Sequence, residues 1–320
     1  MEQINIHTGN CLDILPTMEA GSVNCCVTSP PYFGLRDYGN DEQIGLEETP
    51  EAFVESLVKV FREVKRVLAD DGTLWLNLGD SYASNQSAGD RVTKYSDKQT
   101  TNAGKKGGKQ RVPDGLKSKD LIGIPWRVAL ALQADGWYLR QDIIWSKPNP
   151  MPESVTDRCT KAHEYIFLLS KKAKYFYDAE AVKEQASEST NNRDKYARTG
   201  NAKENRDGYI NHLDPKSGTH RDCEGQRNKR SVWEVTTQPY SGAHFATFPP
   251  DLIKPCILAG CPAGGTVLDP FGGSGTTGMV ALELGRNAEL IELNPDYVDI
   301  IEGRTNVTPG FNFEQTKKTA

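Results

Sequence analysis

The chain has 320 residues, enough for one large α/β domain or two smaller ones with a substantial buried core. Its mean hydropathy is −0.59, and no run approaches the roughly 20 apolar residues of a membrane span. The sequence also shows no apolar signal segment. These features exclude a membrane protein and favour a cytoplasmic one. A net charge of −5 argues weakly against nucleic-acid binding, but this average conceals an uneven distribution of charge.

Apolar runs alternate with amphipathic segments along the chain, which is the pattern of an α/β fold. The apolar runs predict strands at Ile4–His7, Asn24–Thr28, Thr73–Leu78, Tyr138–Trp145, Glu164–Ser170, Gly265–Asp269 and Ala288–Glu292. Helical spacing of apolar residues predicts helices at Pro50–Leu68, Gly123–Asp135, Pro249–Ala259 and Thr276–Leu284.

Two long polar segments, residues 82–120 and 183–230, interrupt this alternation. Loops of this length inside a compact domain are usually functional or disordered. The first has nine Lys/Arg between Ser84 and Lys119 and is predicted to bind phosphates. Its candidate DNA contacts are Lys105, Lys106, Lys109 and Arg111. The second has eleven Lys/Arg against eight Asp/Glu and is either a target-recognition segment or a solvated loop.

The first candidate motif, Ser29-Pro30-Pro31-Tyr32, directly follows a predicted strand. Proline lacks the backbone donor that a β-ladder needs, so the strand must end there. The turn presents the Ser29 hydroxyl, the Pro30 carbonyl and the Tyr32 ring at the carboxyl end of a strand, where open α/β sheets bind ligands. Acceptors beside an aromatic ring suit an amino group on a planar base. A plain surface turn is the alternative interpretation.

The second candidate motif is a glycine-rich turn between a predicted strand and a predicted helix. It consists of Asp269, Pro270, Phe271, Gly272, Gly273, Ser274, Gly275 and Thr276. Its glycines allow close approach of a ligand, and the helix N-terminus offers free N–H groups to a carboxylate. The next predicted strand ends at Glu292, the expected place for an acid that holds ribose hydroxyls. A purely structural turn is the alternative for this motif alone, but both motifs together are far more specific.

Together the two motifs resemble the amino-methyltransferases of DNA in the circular arrangement called the beta class, where the catalytic half precedes the cofactor-binding half. The resemblance covers nearly the whole chain. Gly9–Leu12 is similar to the family's adenine-contacting turn, Gly72–Asp80 to the strand beside the catalytic motif, Gln141–Pro152 to the strand and loop near the target base, and His244–Pro249 to the segment supporting the cofactor's methionine end. The family usually has Asp where this chain has Asn10, whose side-chain oxygen can still accept a hydrogen bond.

The resemblance implies a Rossmann-like fold with a seven-stranded, mostly parallel sheet and helices on both faces. It implies one catalytic domain over residues 1–320, S-adenosylmethionine as cofactor, double-stranded DNA as substrate and no metal. Asp269 and the turn after it would hold the cofactor's amino-acid part, Phe271 and Asn10 would flank its adenine, and Glu292 would bind its ribose. The other implied cofactor contacts are Cys11, Gly273, Ser274, Gly275, Thr276, His244 and Thr247. Ser29, Pro30, Pro31 and Tyr32 would be catalytic, and Lys147 would contact DNA.

The first residue of the catalytic motif bears on the base that is methylated. In the family, Ser at this position occurs mostly in N4-cytosine enzymes, and Asp occurs mostly in N6-adenine enzymes. Ser29 therefore favours N4 of cytosine, with N6 of adenine as the alternative. The family also allows a homodimer and a cognate restriction endonuclease as partners, and the sequence decides neither.

Rival functions explain only part of these features. A nicotinamide-dependent oxidoreductase would account for a glycine-rich turn and a distal acid, but not for Ser29–Tyr32, and the Gly-x-Gly-x-x-Gly spacing is missing. A non-catalytic DNA-binding module would account for the basic segment alone. Methyltransferases of protein glutamine or RNA usually begin the motif with Asn. The seven cysteines lack the Cys-x-x-Cys spacing of a zinc site and are expected to be reduced.

Overall fold

The computed structural model describes residues 2–35, 40, 42–83, 112–186, 225–238 and 248–306. The chain divides into two compact units, one of residues 1–178 with 231–320 and one of residues 179–230. The strands are β1 (Ile4–Thr8), β2 (Val23–Thr28), β3 (Leu68–Leu78), β4 (Tyr138–Ser146), β5 (His163–Ser170), β6 (Glu184–Gln185), β7 (Gln226–Arg227), β8 (Val232–Glu234), β9 (Thr266–Asp269) and β10 (Asn287–Glu292). The α-helices are α1 (Cys11–Ile14), α2 (Pro50–Val67), α3 (Ile124–Ala134), α4 (Pro250–Gly260), α5 (Thr276–Glu283) and α6 (Pro295–Asn306).

The larger unit is built on one eight-stranded sheet in the order β1-β10-β9-β2-β3-β5-β4-β8. The five strands from β1 to β3 in this order are mutually parallel. Strand β5 is antiparallel to both β3 and β4, and β8 is parallel to β4. The predicted α/β fold with a mostly parallel sheet is confirmed. The eighth strand was not predicted, because β8 is three residues long and carries no readable alternation.

Helix α2 illustrates how local sequence sets the elements. The Thr49 hydroxyl accepts a hydrogen bond from the Ala52 N–H at 3.1 Å, and Pro50 occupies the first turn, where no backbone donor is needed. One face of the helix is fully buried, with Phe53, Leu57, Val60, Phe61 and Val64. Burying this apolar stripe holds the helix on the sheet.

Helices cover both faces of the sheet. Buried side chains of α2 and α3 form one core cluster with β2, β3 and β5, whereas α4 and α5 contact β2, β3, β9 and β10 with residues outside that cluster. No helix within the described ranges is long and apolar enough to cross a membrane.

Strand β3 and helix α6 also differ from the sequence prediction. Strand β3 begins at Leu68 instead of Thr73, because the register with β2 shifts between Val23 and Cys25 and the strand absorbs the extra residues as an irregularity. Helix α6 follows β10 at Pro295–Asn306, where no helix was predicted. The Asn294 side chain accepts from the Asp296 N–H at 3.0 Å at the start of this helix, which is a common N-terminal signal.

The smaller unit is described only at residues 179–186 and 225–230. Strands β6 and β7 pair there as an antiparallel ladder. Glu184 accepts hydrogen bonds from Arg227 at 2.9 Å and from Arg230 at 2.8 Å.

Candidate active site

The carboxyl ends of the parallel strands meet at one edge of the sheet and surround a cavity of about 430 Å³. Both sequence motifs reach this cavity. The predicted site residues that line it are Asn10, Cys11, Ser29, Pro30, Pro31, Tyr32, Asp269, Phe271, Gly273, Ser274, Thr276 and Glu292. Chain segments more than 200 residues apart in sequence are therefore brought to one cleft, because they follow neighbouring strands β1, β2, β9 and β10.

The Ser-Pro-Pro-Tyr turn leaves the end of β2, and its tyrosine is held by polar partners on β3 and β5. The Tyr32 hydroxyl donates to Glu164 at 2.7 Å, and the Ser29 hydroxyl donates to the Tyr32 oxygen at 3.5 Å. A Cβ atom on Gly79 would lie 2.5 Å from the Tyr32 ring. Only glycine therefore fits at position 79 while the ring keeps this place.

The glycine-rich turn connects β9 to α5 with two glycines in the left-handed region. Gly273 has φ +52° and Gly275 has φ +77°, and a Cβ on Gly275 would lie 2.8 Å from Ile301 of α6. Gly275 is the N-cap of α5 and lies behind the cavity lining. The turn and the start of α5 thus line the cavity through Gly273, Ser274 and Thr276, where a helix N-terminus favours negatively charged groups.

Asp269 lies at the junction of the two motifs and is 2% exposed. One carboxylate oxygen accepts from the Thr28 hydroxyl at 2.6 Å and from the Phe271 N–H at 3.1 Å, and the other accepts from the Thr277 hydroxyl at 2.6 Å. Burial outweighs these hydrogen bonds and raises the pKa of Asp269 from 3.8 to about 7. The carboxylate therefore ties together the ends of β2 and β9 and the start of α5.

Glu292 ends β10 and is largely buried. It accepts from the Gly273 N–H at 2.7 Å through one oxygen and from the Asn294 N–H at 2.8 Å through the other. Burial raises the pKa of this carboxyl. Each carboxylate oxygen can accept a second hydrogen bond, so Glu292 fixes the turn and still has acceptor capacity toward the cavity.

The turn after β1 supplies Asn10 and Cys11. The Asn10 side-chain oxygen caps α1 by accepting from the Leu12 N–H at 2.9 Å. Burial raises the pKa of the Cys11 thiol to about 12, so the thiol stays neutral. The one Pro-Cys pair of the sequence, Pro255-Cys256, lies inside α4 with its cysteine buried and away from the cavity lining, where it cannot act as a thiolate on a bound base.

Lys147, predicted to contact DNA, lies behind Tyr32 and does not line the cavity. Its ammonium donates to Glu164 and lies 4.2 Å from the centre of the Trp145 ring. The other predicted contacts, His244, Thr247, Lys105, Lys106, Lys109 and Arg111, lie outside the described residues. Among the described residues, no group of His, Cys, Asp or Glu could hold a metal ion.

Several residues of the site were not predicted. Glu164 and Asn77 contact Tyr32 from β5 and β3. Arg304 of α6 donates to the Ser274 hydroxyl at 2.6 Å and to the Thr276 hydroxyl at 3.0 Å. Residues 293–297 also line the cavity, as does Phe248, which belongs to the predicted segment His244–Pro249. A carboxylate near the start of the otherwise apolar run of β5 was the available signal for Glu164, since charged residues are rarely buried without a partner.

Comparisons with known proteins agree with this arrangement. A family model described as DNA methylase, which covers the N6/N4 methyltransferases, matches residues 23–303. The Type II methyltransferase M.Cfr9I of Citrobacter freundii is 50% identical over 296 residues, which cover 92% of this chain and 85% of that protein.

Two solved structures share the fold. The cytosine-N4-specific PvuII DNA methyltransferase matches with a TM-score of 0.62 at 18% identity, covering 98% of this chain and 89% of that one. A putative DNA modification methylase of Thermus thermophilus, complexed with S-adenosyl-L-methionine, matches with a TM-score of 0.58 at 23% identity, covering 98% and 100%. Because the family model spans most of the sequence and a relative is half identical to it, the chain belongs to the N6/N4 family of DNA methylases, the site-specific amino-methyltransferases of DNA.

Proposed function

We propose that this protein transfers a methyl group from S-adenosylmethionine to N4 of cytosine at a specific site in double-stranded DNA. The observation that carries the proposal is the shared cavity, where Ser29 and Tyr32 of the catalytic motif face the glycine-rich turn and Glu292. A dinucleotide-dependent oxidoreductase would not explain Ser29 and Tyr32. A non-catalytic DNA-binding module would not explain the glycine-rich turn and Glu292.

The cavity suits the cofactor in size and chemistry. Its volume of about 430 Å³ lies in the range of small-molecule sites. Glu292 would accept hydrogen bonds from the ribose hydroxyls, Phe271 and Asn10 would flank the adenine, and the N-terminus of α5 with Asp269 would hold the amino-acid part. When bound, S-adenosylmethionine supplies an electrophilic methyl group.

The catalytic motif supports reaction at an exocyclic amino nitrogen, whose lone pair is delocalised into the ring. The target base would be flipped out of the duplex and stacked on the Tyr32 ring. The Ser29 hydroxyl and the Pro30 carbonyl would accept the two amino hydrogens, favour a more tetrahedral nitrogen and stabilise its developing positive charge. No covalent adduct with the enzyme is needed.

The choice of base rests on Ser29. A serine at the head of the motif favours N4 of cytosine, and the PvuII enzyme that shares the fold is named as cytosine-N4-specific. N6 of adenine is the alternative, since both bases present an amino group of similar geometry. The Type II name of the half-identical relative supports a cognate restriction endonuclease as a partner in the cell.

The deciding experiment is incubation of the protein with mixed-sequence double-stranded DNA and cofactor, followed by digestion to nucleosides and mass spectrometry. We expect N4-methylcytosine. N6-methyladenine as the sole product would overturn the assignment of the base and leave the class of enzyme standing. DNA that remains unmethylated on every sequence would overturn the proposal.

Replacing Lys105, Lys106 and Lys109 by Gln is expected to weaken DNA binding about equally for all sequences. Each phosphate contact releases condensed counterions, so the slope of log affinity against log salt should become shallower by roughly one per lost contact. Titrations of labelled duplex at several salt concentrations measure this slope, with cofactor affinity as the control. An unchanged slope would show that these residues do not contact phosphates.

Glu292→Ala is expected to weaken binding of S-adenosylmethionine by about 1–3 kcal/mol, the value of hydrogen bonds to a charged acceptor. The matched control is Glu289→Ala on the same strand, because Glu289 pairs with Asn5 and His7 and lies away from the cavity lining. Calorimetric titration without DNA measures both variants. Equal affinities of the two variants would place the ribose elsewhere.

A further inference from the structure

Behind Tyr32 lies a chain of polar groups that the two sequence motifs do not contain. Glu164 is at its centre, with 15% of its side chain exposed. One of its carboxylate oxygens accepts from the Lys147 ammonium, and the other accepts from the Tyr32 hydroxyl at 2.7 Å and from the Asn77 side-chain amide at 3.2 Å. The same amide of Asn77 also donates to the Tyr165 carbonyl at 3.1 Å. The chain of contacts therefore runs from Lys147 through Glu164 to Tyr32 and Ser29.

The chemistry of these groups fixes the direction of every hydrogen bond in this chain. An ionised carboxylate accepts only and an ammonium donates only. The carboxylate of Glu164 forms an ion pair with the Lys147 ammonium and can only accept, so the Tyr32 hydroxyl gives its single proton to Glu164. The Asn77 oxygen, 3.4 Å from the Tyr32 hydroxyl, is a weaker competitor, because a short bond to a charged acceptor is stronger.

The Tyr32 oxygen is consequently left as an acceptor. The Ser29 hydroxyl lies 3.5 Å away in donor geometry. Burial and the neighbouring Glu164 charge raise the pKa of Tyr32 well above its ordinary value, so the phenol keeps its proton. The Ser29 hydroxyl proton thus points toward Tyr32, and the lone pairs of the Ser29 oxygen point away from Tyr32.

A serine at this position needs such direction, because a hydroxyl can either donate or accept, whereas an aspartate can only accept. An amino group on a base offers two hydrogens and must meet acceptors. A Ser29 proton directed toward the base would repel the amino hydrogens and leave the nitrogen unassisted.

We propose that Glu164, held by Lys147, is a positioning residue that acts through the Tyr32 hydroxyl to make Ser29 an acceptor for the amino group of the target base. This proposal rests on the proposed function and adds a specific role for three residues outside the catalytic motif: Lys147, Glu164 and Asn77. In this proposal Lys147 belongs to the chain of hydrogen bonds behind Tyr32 and does not bind a DNA phosphate. It holds equally for a cytosine or an adenine amino group.

The test is a set of double-mutant cycles on single-turnover methylation at saturating DNA and cofactor. Glu164→Gln and Tyr32→Phe each remove one link, and each is expected to slow methyl transfer roughly tenfold, about 1.4 kcal/mol. Both should leave the dissociation constants of DNA and cofactor within about twofold of the parent. The links act in series. Glu164→Gln should therefore slow methyl transfer by less than about twofold in the Tyr32→Phe background, and by a similarly small factor in the Ser29→Ala background.

A purely structural role for Glu164 predicts a different pattern. In that case Glu164→Gln would slow the reaction by the same factor in all three backgrounds, and such additivity would overturn the proposal. The Tyr32→Phe background keeps the aromatic ring, so the cycle can be measured even if Ser29→Ala has no detectable turnover. Glu289→Gln removes a carboxylate of similar exposure, 19% of its side chain, that does not line the cavity; it serves as the control and should react at the parental rate.

The outcomes separate this inference from the function on which it rests. If the parent protein methylates DNA and the Glu164→Gln variant does so at the same rate, the proposed role of the hydrogen-bond chain is wrong and the proposed function stands. A parent that methylates no base would overturn the proposed function and the chain with it.

Discussion

Replacing Tyr32 by Ala is expected to reduce the rate of DNA methylation by a hundredfold or more while leaving binding of S-adenosylmethionine nearly intact. Loss of the stacking surface for the flipped base alone costs about 1–3 kcal/mol, which corresponds to roughly a tenfold to hundredfold loss. The hydrogen-bond chain from Glu164 to Ser29 is lost with the phenol. The two losses should add.

Tyr32→Phe is the matched control for this experiment, because it keeps the ring and removes only the hydroxyl. Its rate should lie between those of the parent and Tyr32→Ala. Single-turnover rates and calorimetric cofactor titrations measure the two effects separately. If Tyr32→Ala lowers cofactor affinity as strongly as it lowers the rate, the ring supports the cofactor and not the base.

Asp269→Ala is expected to weaken cofactor binding by roughly a hundredfold or more, about 3 kcal/mol. The carboxylate accepts three hydrogen bonds that fasten the end of β2, the glycine-rich turn and the start of α5 to one another. Removing it leaves two hydroxyls and an N–H group without their buried acceptor. Asp269→Asn retains the shape and one acceptor oxygen and should bind the cofactor more tightly than Asp269→Ala. Undiminished affinity of Asp269→Ala would remove this residue from the cofactor site.

The raised pKa of Asp269, about 7, gives the same binding reaction a pH dependence. Below pH 7 the carboxyl is mostly protonated, and a cationic cofactor must expel the proton to find an anionic partner. Affinity should therefore fall by up to about tenfold for each pH unit below 7, since one unit corresponds to about 1.4 kcal/mol. It should level off above pH 7, where the group is already ionised. The cofactor affinity of Asp269→Asn should not depend on pH in this range. A parent protein whose cofactor affinity is the same above and below pH 7 would contradict this prediction.

The parts of the fold and site that could be predicted are those written in contiguous residues. The strand endings at Ser29-Pro30 and Asp269-Pro270 follow from the chemistry of proline, and the apolar stripe of α2 follows from helical spacing. These local features placed both motifs at the same edge of the sheet, because parallel strands end on one side.

The residues that were missed contact the motifs from distant parts of the chain. Glu164 is 132 positions from the tyrosine that it binds, and Arg304 is 30 positions from Ser274. No local pattern marks either side chain as a partner, since their roles depend on which strands and helices become neighbours. Strand β8 and helix α6 were missed for a related reason, because pairing and packing stabilise them more than their own sequence does.

Strand β1 lies beside strand β10, with Ile4 opposite Ala288. Residues that are 284 positions apart, such as Ile4 and Ala288, therefore lie side by side in the sheet, and closing the loop between them carries an entropic cost. During synthesis on the ribosome, strand β1 cannot find its neighbour until β10 has been synthesised. Neither cofactor nor DNA can stabilise the incomplete chain, because ligands stabilise only the folded form that binds them. Nascent chains of this protein should thus depend on chaperones until β10 emerges, and products that terminate before β10 should be degraded instead of retaining partial activity.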